Sequence, residues 1–237
     1  MNPNHRRFDA AIIDLDGTLV DTLGDFAAAL NLVMADLALP AVDRVTVGQF
    51  VGKGSEYLIK SVLIHVQQAQ TATDNIANDA LSNSAENLYP IAWQRYQQHY
   101  AAINGQYSEV FPGALEGLNL LKSRGLKLAC VTNKPTLFAV ALLESKGLAG
   151  FFEVSFGGDA FERKKPHPQP LLKSCEALGA APSRTLMVGD SSNDAQAARA
   201  AGCPVVLVTY GYNHGEPVAA VDADGFVESL ADLGRFI

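Results

Sequence analysis

The chain has 237 residues, 48% of them hydrophobic and 18% charged, with a net charge of −7; that balance belongs to a folded globular protein and excludes disorder as its main state. No block of about five or six basic residues occurs, which argues against nucleic acid as a partner. No run of about 18 apolar residues is present to span a membrane. The start, MNPNHRRF, is polar, and acids at Asp9, Asp14 and Asp16 break the apolar run behind it, so it does not read as a signal peptide. Cys130, Cys175 and Cys203 lie in apolar contexts without CxxC spacing; buried, reduced thiols in a cytoplasmic protein are expected.

In chain order, residues 8–13 predict a first strand, which ends in charge at Asp14 and Asp16. Residues 22–108 then lose strand character. Phe26, Leu30, Met34 and Leu37 recur at helical spacing, and 55–70 and 74–102 also predict helices, with Pro90 bending or dividing the second. The polar stretch 67–88 is either a solvated helix face or a mobile link. Val110-Phe111-Pro112-Gly113 marks the return. From there helices at 114–123, 136–146, 168–178 and 193–201 alternate with strands at 126–132, 185–188 and 205–209. Weaker strands are expected at 153–156 and 225–227. Strands this uniformly apolar are buried on both faces, as in a parallel sheet. The expectation is an α/β fold, a doubly wound, mostly parallel sheet built from 1–21 and 110–237, with a helical block, 22–109, inserted after the first strand.

The strand ends carry the chemistry. Asp14 ends the first strand, Thr132 and Asn133 follow the second, and Asp190 follows the strand at 185–188. Open α/β sheets bind ligands outside the carboxyl ends of their strands, so Asp14, Asp16, Thr132 and Asp190 are predicted to converge. Gathered carboxylates repel unless a cation joins them, and an all-oxygen donor set suits Mg²⁺ rather than zinc. Asp194, at the start of the next helix, is a further candidate ligand, expected to orient a metal-bound water or a nearby lysine. The Thr132 hydroxyl and the Asn133 amide suit phosphate oxygens. Lys165 sits in RKKPHPQP, where Pro166 and Pro168 stiffen the loop that carries its ammonium. Gly17 is expected to turn the amides of Leu15 and Asp16 toward an anion. Lys134 and Lys164 read as solvated surface charges. Each signal alone has an ordinary reading as a turn, a helix cap or a loop; their joint order at successive strand ends outweighs those readings.

Asp-x-Asp-Gly-Thr, Thr-Asn, Lys-Pro and Gly-Asp-Ser-x-x-Asp, in this order and over nearly the whole chain, resemble the four motifs of the haloacid dehalogenase-like phosphatases. The resemblance implies a Rossmann-like core with a helical cap, and Asp16 points to phosphatases because dehalogenases lack the second acid. It implies that Asp14 attacks phosphorus to form an aspartyl-phosphate. Asp16 would protonate the leaving oxygen and later deprotonate water. Mg²⁺ would be held by the Asp14 and Asp190 carboxylates and the Asp16 carbonyl, while Thr132 and Lys165 hold the phosphoryl oxygens.

Within that family DLDGTLVDT, VTNKPT, GGD, KKPHPQPLL, GDSSNDAQAARAAG and TYGYNHGE are similar to the bacterial phosphoglycolate phosphatase group, as is the loop VGKG at 51–54. That likeness implies a small phosphorylated metabolite, 2-phosphoglycolate, as substrate. Gly52, Lys53 and Gly54 become the cap residues expected over its leaving group, Lys53 either meeting a substrate carboxylate or standing exposed. A sugar-phosphate phosphatase, for example one acting on an amino-sugar 6-phosphate, shares these core motifs. A phospho-aspartate receiver module is the alternative from another class, but its phosphorylated Asp stands apart from its acid pair, and here Asp14 and Asp16 share one strand end.

Overall fold

The computed structural model describes residues 8–74 and 78–237, the side chains of 71–84 excepted. Strand β1 (Ala10–Ile13) is followed by a two-residue strand, β2 (Val20–Asp21), and by four helices, α1 (Leu23–Asp36), α2 (Arg44–Gly48), α3 (Ser55–Asp74) and α4 (Asn78–Ile103). A second short strand, β3 (Glu109–Val110), brings the chain back. Helix and strand then alternate through α5 (Ala114–Ser123), β4 (Lys127–Val131), α6 (Thr136–Ser145), β5 (Val154–Phe156), α7 (Gln169–Leu178), β6 (Thr185–Gly189), α8 (Ser192–Ala201), β7 (Val205–Val208) and β8 (Gly225–Val227).

The main sheet has the order β5-β4-β1-β6-β7-β8, and every pairing in it is parallel. Its uniformly apolar strands follow from burial on both faces. The two-residue side-chain period of a strand splits them cleanly. Ala11, Ile13, Leu128, Cys130 and Val188 pack on one face with Leu118 and Leu121 of α5 and Leu142 of α6. Ala10, Ile12, Ala129, Val131 and Met187 pack on the other with Leu171 of α7 and Ala198 of α8. Each fully buried Leu, Ile or Val removed from water contributes roughly 1.5–3 kcal/mol. All three cysteines are free and buried. Among the described residues no helix is long and apolar enough to cross a membrane.

Helices α1, α3 and α4 build a cluster of their own around Phe26, Leu30, Met34, Ile59, Leu63, Tyr96 and Tyr100. Tyr100 stacks on Phe26 at 5.5 Å and meets Phe138 of α6 edge-on at 5.0 Å, so one ring joins the helical block to the sheet's flank. Pro90 lies inside α4, which continues through it undivided; a missing amide there costs one helix bond, and the packing of the helix outweighs that loss. The short α2 carries too few residues to show a period. Its start is fixed by Asp43, whose side chain accepts the Thr46 amide at 2.7 Å. Strands β2 and β3 pair antiparallel where the chain leaves and rejoins the core. Beside them Asp25 of α1, wholly buried, accepts the amides of Gly105 at 2.7 Å and Tyr107 at 2.6 Å. The stretch 67–88 falls largely on residues whose side chains lie outside the description.

Candidate active site

The three adjacent strands β4, β1 and β6 end at one edge of the sheet, which delivers Thr132, Asp14 and Asp190 side by side. Carboxylate oxygens of Asp14, Asp190 and Asp194 lie within 4.8 Å of one another. Lys165, from the loop before α7, sets its ammonium 2.8 Å from Asp14 Oδ1 and 2.7 Å from Asp194 Oδ1, and also donates to the Val131 carbonyl at 2.8 Å. The other oxygen of Asp194 accepts from the Ser191 hydroxyl at 2.8 Å and from the Ser191 amide at 3.2 Å, closing a capping box at the start of α8. Asp194 thus holds a lysine and also belongs to the group of oxygens that could hold a metal ion.

Burial governs the electrostatics. It pushes the Asp14 carboxyl up to about 7, with Lys165 opposing and Asp194 and Asp16 adding to the rise. The same desolvation, reinforced by Asp194 and Asp14, holds Asp190 well above the usual carboxylate range. Burial pulls the Lys165 ammonium down, and its two carboxylate partners outweigh that and hold it up. Four buried carboxylates at this edge (Asp14, Asp16, Asp190, Asp194) face two buried ammoniums (Lys134, Lys165). Ionised, they leave two uncompensated negative charges on hard oxygen donors, which fits a divalent cation such as Mg²⁺.

Asp190 is fixed by the Tyr212 amide at 2.7 Å and touched by the Thr18 hydroxyl at 3.4 Å. Gly17, at φ +85°, is needed here because a Cβ would sit 2.2 Å from Asp190 Oδ2. The Leu15 amide does not stand open for an anion as expected; it donates to Asp14 Oδ1 at 2.7 Å and so belongs to the nucleophile candidate itself.

The second acid faces the other way. Asp16 Oδ1 accepts from Lys134 Nζ at 2.8 Å, and the Thr132 hydroxyl lies 3.4 Å from its other oxygen. The expectation that Lys134 is a surface charge is therefore overturned: its side chain is buried, its ammonium also donates to the Tyr100 hydroxyl at 2.6 Å, and it lies 4.5 Å over the Phe26 ring. Those rings come from α1 and α4, so no local pattern around position 134 could announce the burial. Lys164 is half-buried, with its Nζ beside Gly54.

The loop at 51–54 lies over this edge. The Gly52 carbonyl accepts from Asn133 Nδ2 at 2.9 Å and from Asn193 Nδ2 at 3.1 Å, and His214 Nδ1 is 2.8 Å from the Val51 carbonyl. A Cβ on Gly52, whose φ is +107°, would meet the His214 ring at 2.8 Å. Burial, with Lys53 nearby, holds the His214 imidazole below its usual range. Asn133 also donates to the Lys165 carbonyl at 2.9 Å, so its amide hydrogens tie two loops together instead of facing phosphate oxygens. Lys53 lays its ammonium 4.9 Å over the Tyr57 ring. Under the loop is a cavity of about 30 Å³ with Asp14, Asp16, Thr132, Lys134, Phe26 and Leu58 in its walls. Gly52 and Gly54 also border it, and Lys53 is not among the described residues that do. Tyr100, Asn193, Tyr212 and His214 were not singled out from sequence, and Phe26 was read only as part of a helical period; the TYGYNHGE stretch was the one signal that touched two of them.

A sequence profile described as haloacid dehalogenase-like hydrolase matches residues 11–208. The phosphoglycolate phosphatase of Thiobacillus denitrificans is 43% identical over 228 residues, 96% of this chain and 95% of that protein. The phosphoglycolate phosphatase of Escherichia coli K12 is 39% identical over 223 residues, 93% of this chain and 88% of that protein. Among solved structures, one described as a predicted phosphoglycolate phosphatase from Haemophilus somnus superposes with a TM-score of 0.87 at 32% identity, covering 98% of both chains.

Proposed function

The chain belongs to the haloacid dehalogenase-like hydrolases, and from that premise we propose that it hydrolyses 2-phosphoglycolate to glycolate and phosphate, with Mg²⁺ at the acid cluster and an aspartyl-phosphate on Asp14. The observation that carries the reading is the division of labour between two acids of one strand end. Both border the small cavity beneath the loop at 51–54, but Asp14 is paired with Lys165 beside the acid cluster, while Asp16 is paired with Lys134.

In this reading the helical insert, 22–109, is a cap over a core of 1–21 and 110–237. An oxygen of Asp14 attacks phosphorus and the ester oxygen departs, taking a proton from Asp16. Water then attacks the aspartyl-phosphate, Asp16 accepts its proton, and Asp14 is released with inorganic phosphate. Lys165 and Thr132 offset charge on the phosphoryl oxygens, and Asp194 keeps Lys165 aimed. Bound Mg²⁺, held by Asp14, Asp190 and the Asp16 carbonyl, would neutralise phosphoryl charge and keep Asp14 ionised. A carboxylate suits the first step because, once ionised, it is both a competent nucleophile and a good leaving group. The phosphoglycolate phosphatases that share 43% and 39% of its residues over nearly the whole chain support a leaving group of glycolate's size. Free, buried thiols accord with a cytoplasmic setting.

The test is a phosphomonoester panel with purified protein and Mg²⁺. The reading expects kcat/KM for 2-phosphoglycolate to exceed that for amino-sugar 6-phosphates at least about tenfold, a difference of ~1.4 kcal/mol in transition-state binding. Equal turnover sinks the substrate assignment, and full-speed cleavage by chelator-treated protein or by Asp14→Asn sinks the chemistry.

A further inference from the structure

Resting on the phosphoglycolate reading, we propose that Lys134, braced by Tyr100, is the specificity-determining cation that receives the carboxylate of the substrate's leaving group. Among the described residues bordering the cavity, Lys134 is the one cation. Lys165 stands at the other end with Asp14 and Asp194, and Lys53 lies over Tyr57. The Lys134 side chain is 1% exposed, and the cavity walls beside it, Phe26, Val51 and Leu58, are apolar. An ammonium held in so dry a wall attracts an anion far more strongly than one in water.

Its hydrogen-bonding capacity is incompletely used. An ammonium has three donors; one goes to Asp16 at 2.8 Å and one to the Tyr100 hydroxyl at 2.6 Å. Among the described residues the third meets no acceptor, which leaves it for a ligand. Covalent structure then supplies the match. In 2-phosphoglycolate a single methylene separates the ester oxygen from the carboxylate, so a group that reads the carboxylate must stand next to the group that protonates the ester oxygen. Lys134 is bonded to Asp16, the proposed acid. A carboxylate sharing Lys134 with Asp16 sets the ester oxygen within reach of Asp16, whereas an ester with a neutral leaving group gains nothing there.

The experiment compares kcat/KM for 2-phosphoglycolate with that for 2-hydroxyethyl phosphate, in which CH₂OH replaces the carboxylate, in wild type, Lys134→Met and Lys134→Gln. Loss of one charge-assisted hydrogen bond corresponds to a drop of about 10- to 100-fold in the ratio of the two constants. Retention of the wild-type ratio, with both esters losing equally, overturns the proposal and leaves Lys134 as a prop for Asp16. A wild type with no preference for the carboxylate ester instead refutes the substrate reading, and the variants are not needed to see it. Should the Lys134 variants turn over neither ester, equilibrium binding of both to Asp14→Asn, with and without Lys134→Met, reads the same ratio directly; thermal melts verify folding.

Discussion

Removing the divalent cation should make the folded protein less stable as pH rises from about 5 to about 7.5, the reverse of ordinary acid denaturation. Asp14 ionises near 7 in the folded chain and at 3.8 ordinarily. Between those values the folded state binds more protons than the unfolded one, so unfolding free energy falls with pH. The full span corresponds to about 4 kcal/mol, and Asp190, displaced in the same direction, adds to it. Lys165 does not interfere. Its raised folded value gives stability that is complete below its ordinary 10.5 and lost only at higher pH. The depressed carboxyls of Glu56 and Glu176 act below about 4.5. His214 opposes the trend, because a histidine held neutral gains stability as pH rises toward its ordinary 6.5. A net fall of about 2–4 kcal/mol remains. Urea midpoints in EDTA and in excess Mg²⁺, at both pH values, measure it. Mg²⁺ should stabilise strongly at the higher pH and weakly at the lower, and Asp14→Asn should flatten the EDTA series. Metal-free protein as stable at the higher pH as at the lower, or an Asp14→Asn protein with the wild-type slope, refutes the reasoning.

Two further outcomes are expected. Asp16→Ala should lower kcat by about 10²–10⁴ through loss of proton transfer, while orthovanadate, which needs no leaving-group proton, still inhibits; a variant with wild-type kcat would remove Asp16 from the reaction. Asp25→Ala removes a buried acceptor from the part-buried amides of Gly105 and Tyr107 and should cost about 1–3 kcal/mol of stability, read as a shift in urea midpoint; a change under about 0.5 kcal/mol would show that water replaces it.

The α/β alternation and the shared edge of Asp14, Thr132 and Asp190 were legible because buried parallel strands have an apolar signature and their ends follow from it. The short pieces were not: β2, β3 and α2 have too few residues to display a period. Lys134 was misread because its environment is made by Phe26 and Tyr100, which arrive from helices at either end of the insert. Asn133 was placed correctly at the edge, yet its partners, the carbonyls of Gly52 and Lys165, depend on how two loops meet. The spacing of Asp190 and Asp194 suggested a metal-bound water or a lysine as partner, and which lysine that is, Lys165, emerges only from three-dimensional proximity. Local pattern thus names the residues that backbone topology delivers and is silent on those recruited by contacts between distant helices.

The two-rung ribbon of β2 and β3 places the insert's departure and return side by side. Whatever lies between those rungs leaves the sheet's strand order untouched, so the segment can be lengthened or replaced without re-pairing the parallel strands that carry Asp14, Thr132 and Asp190.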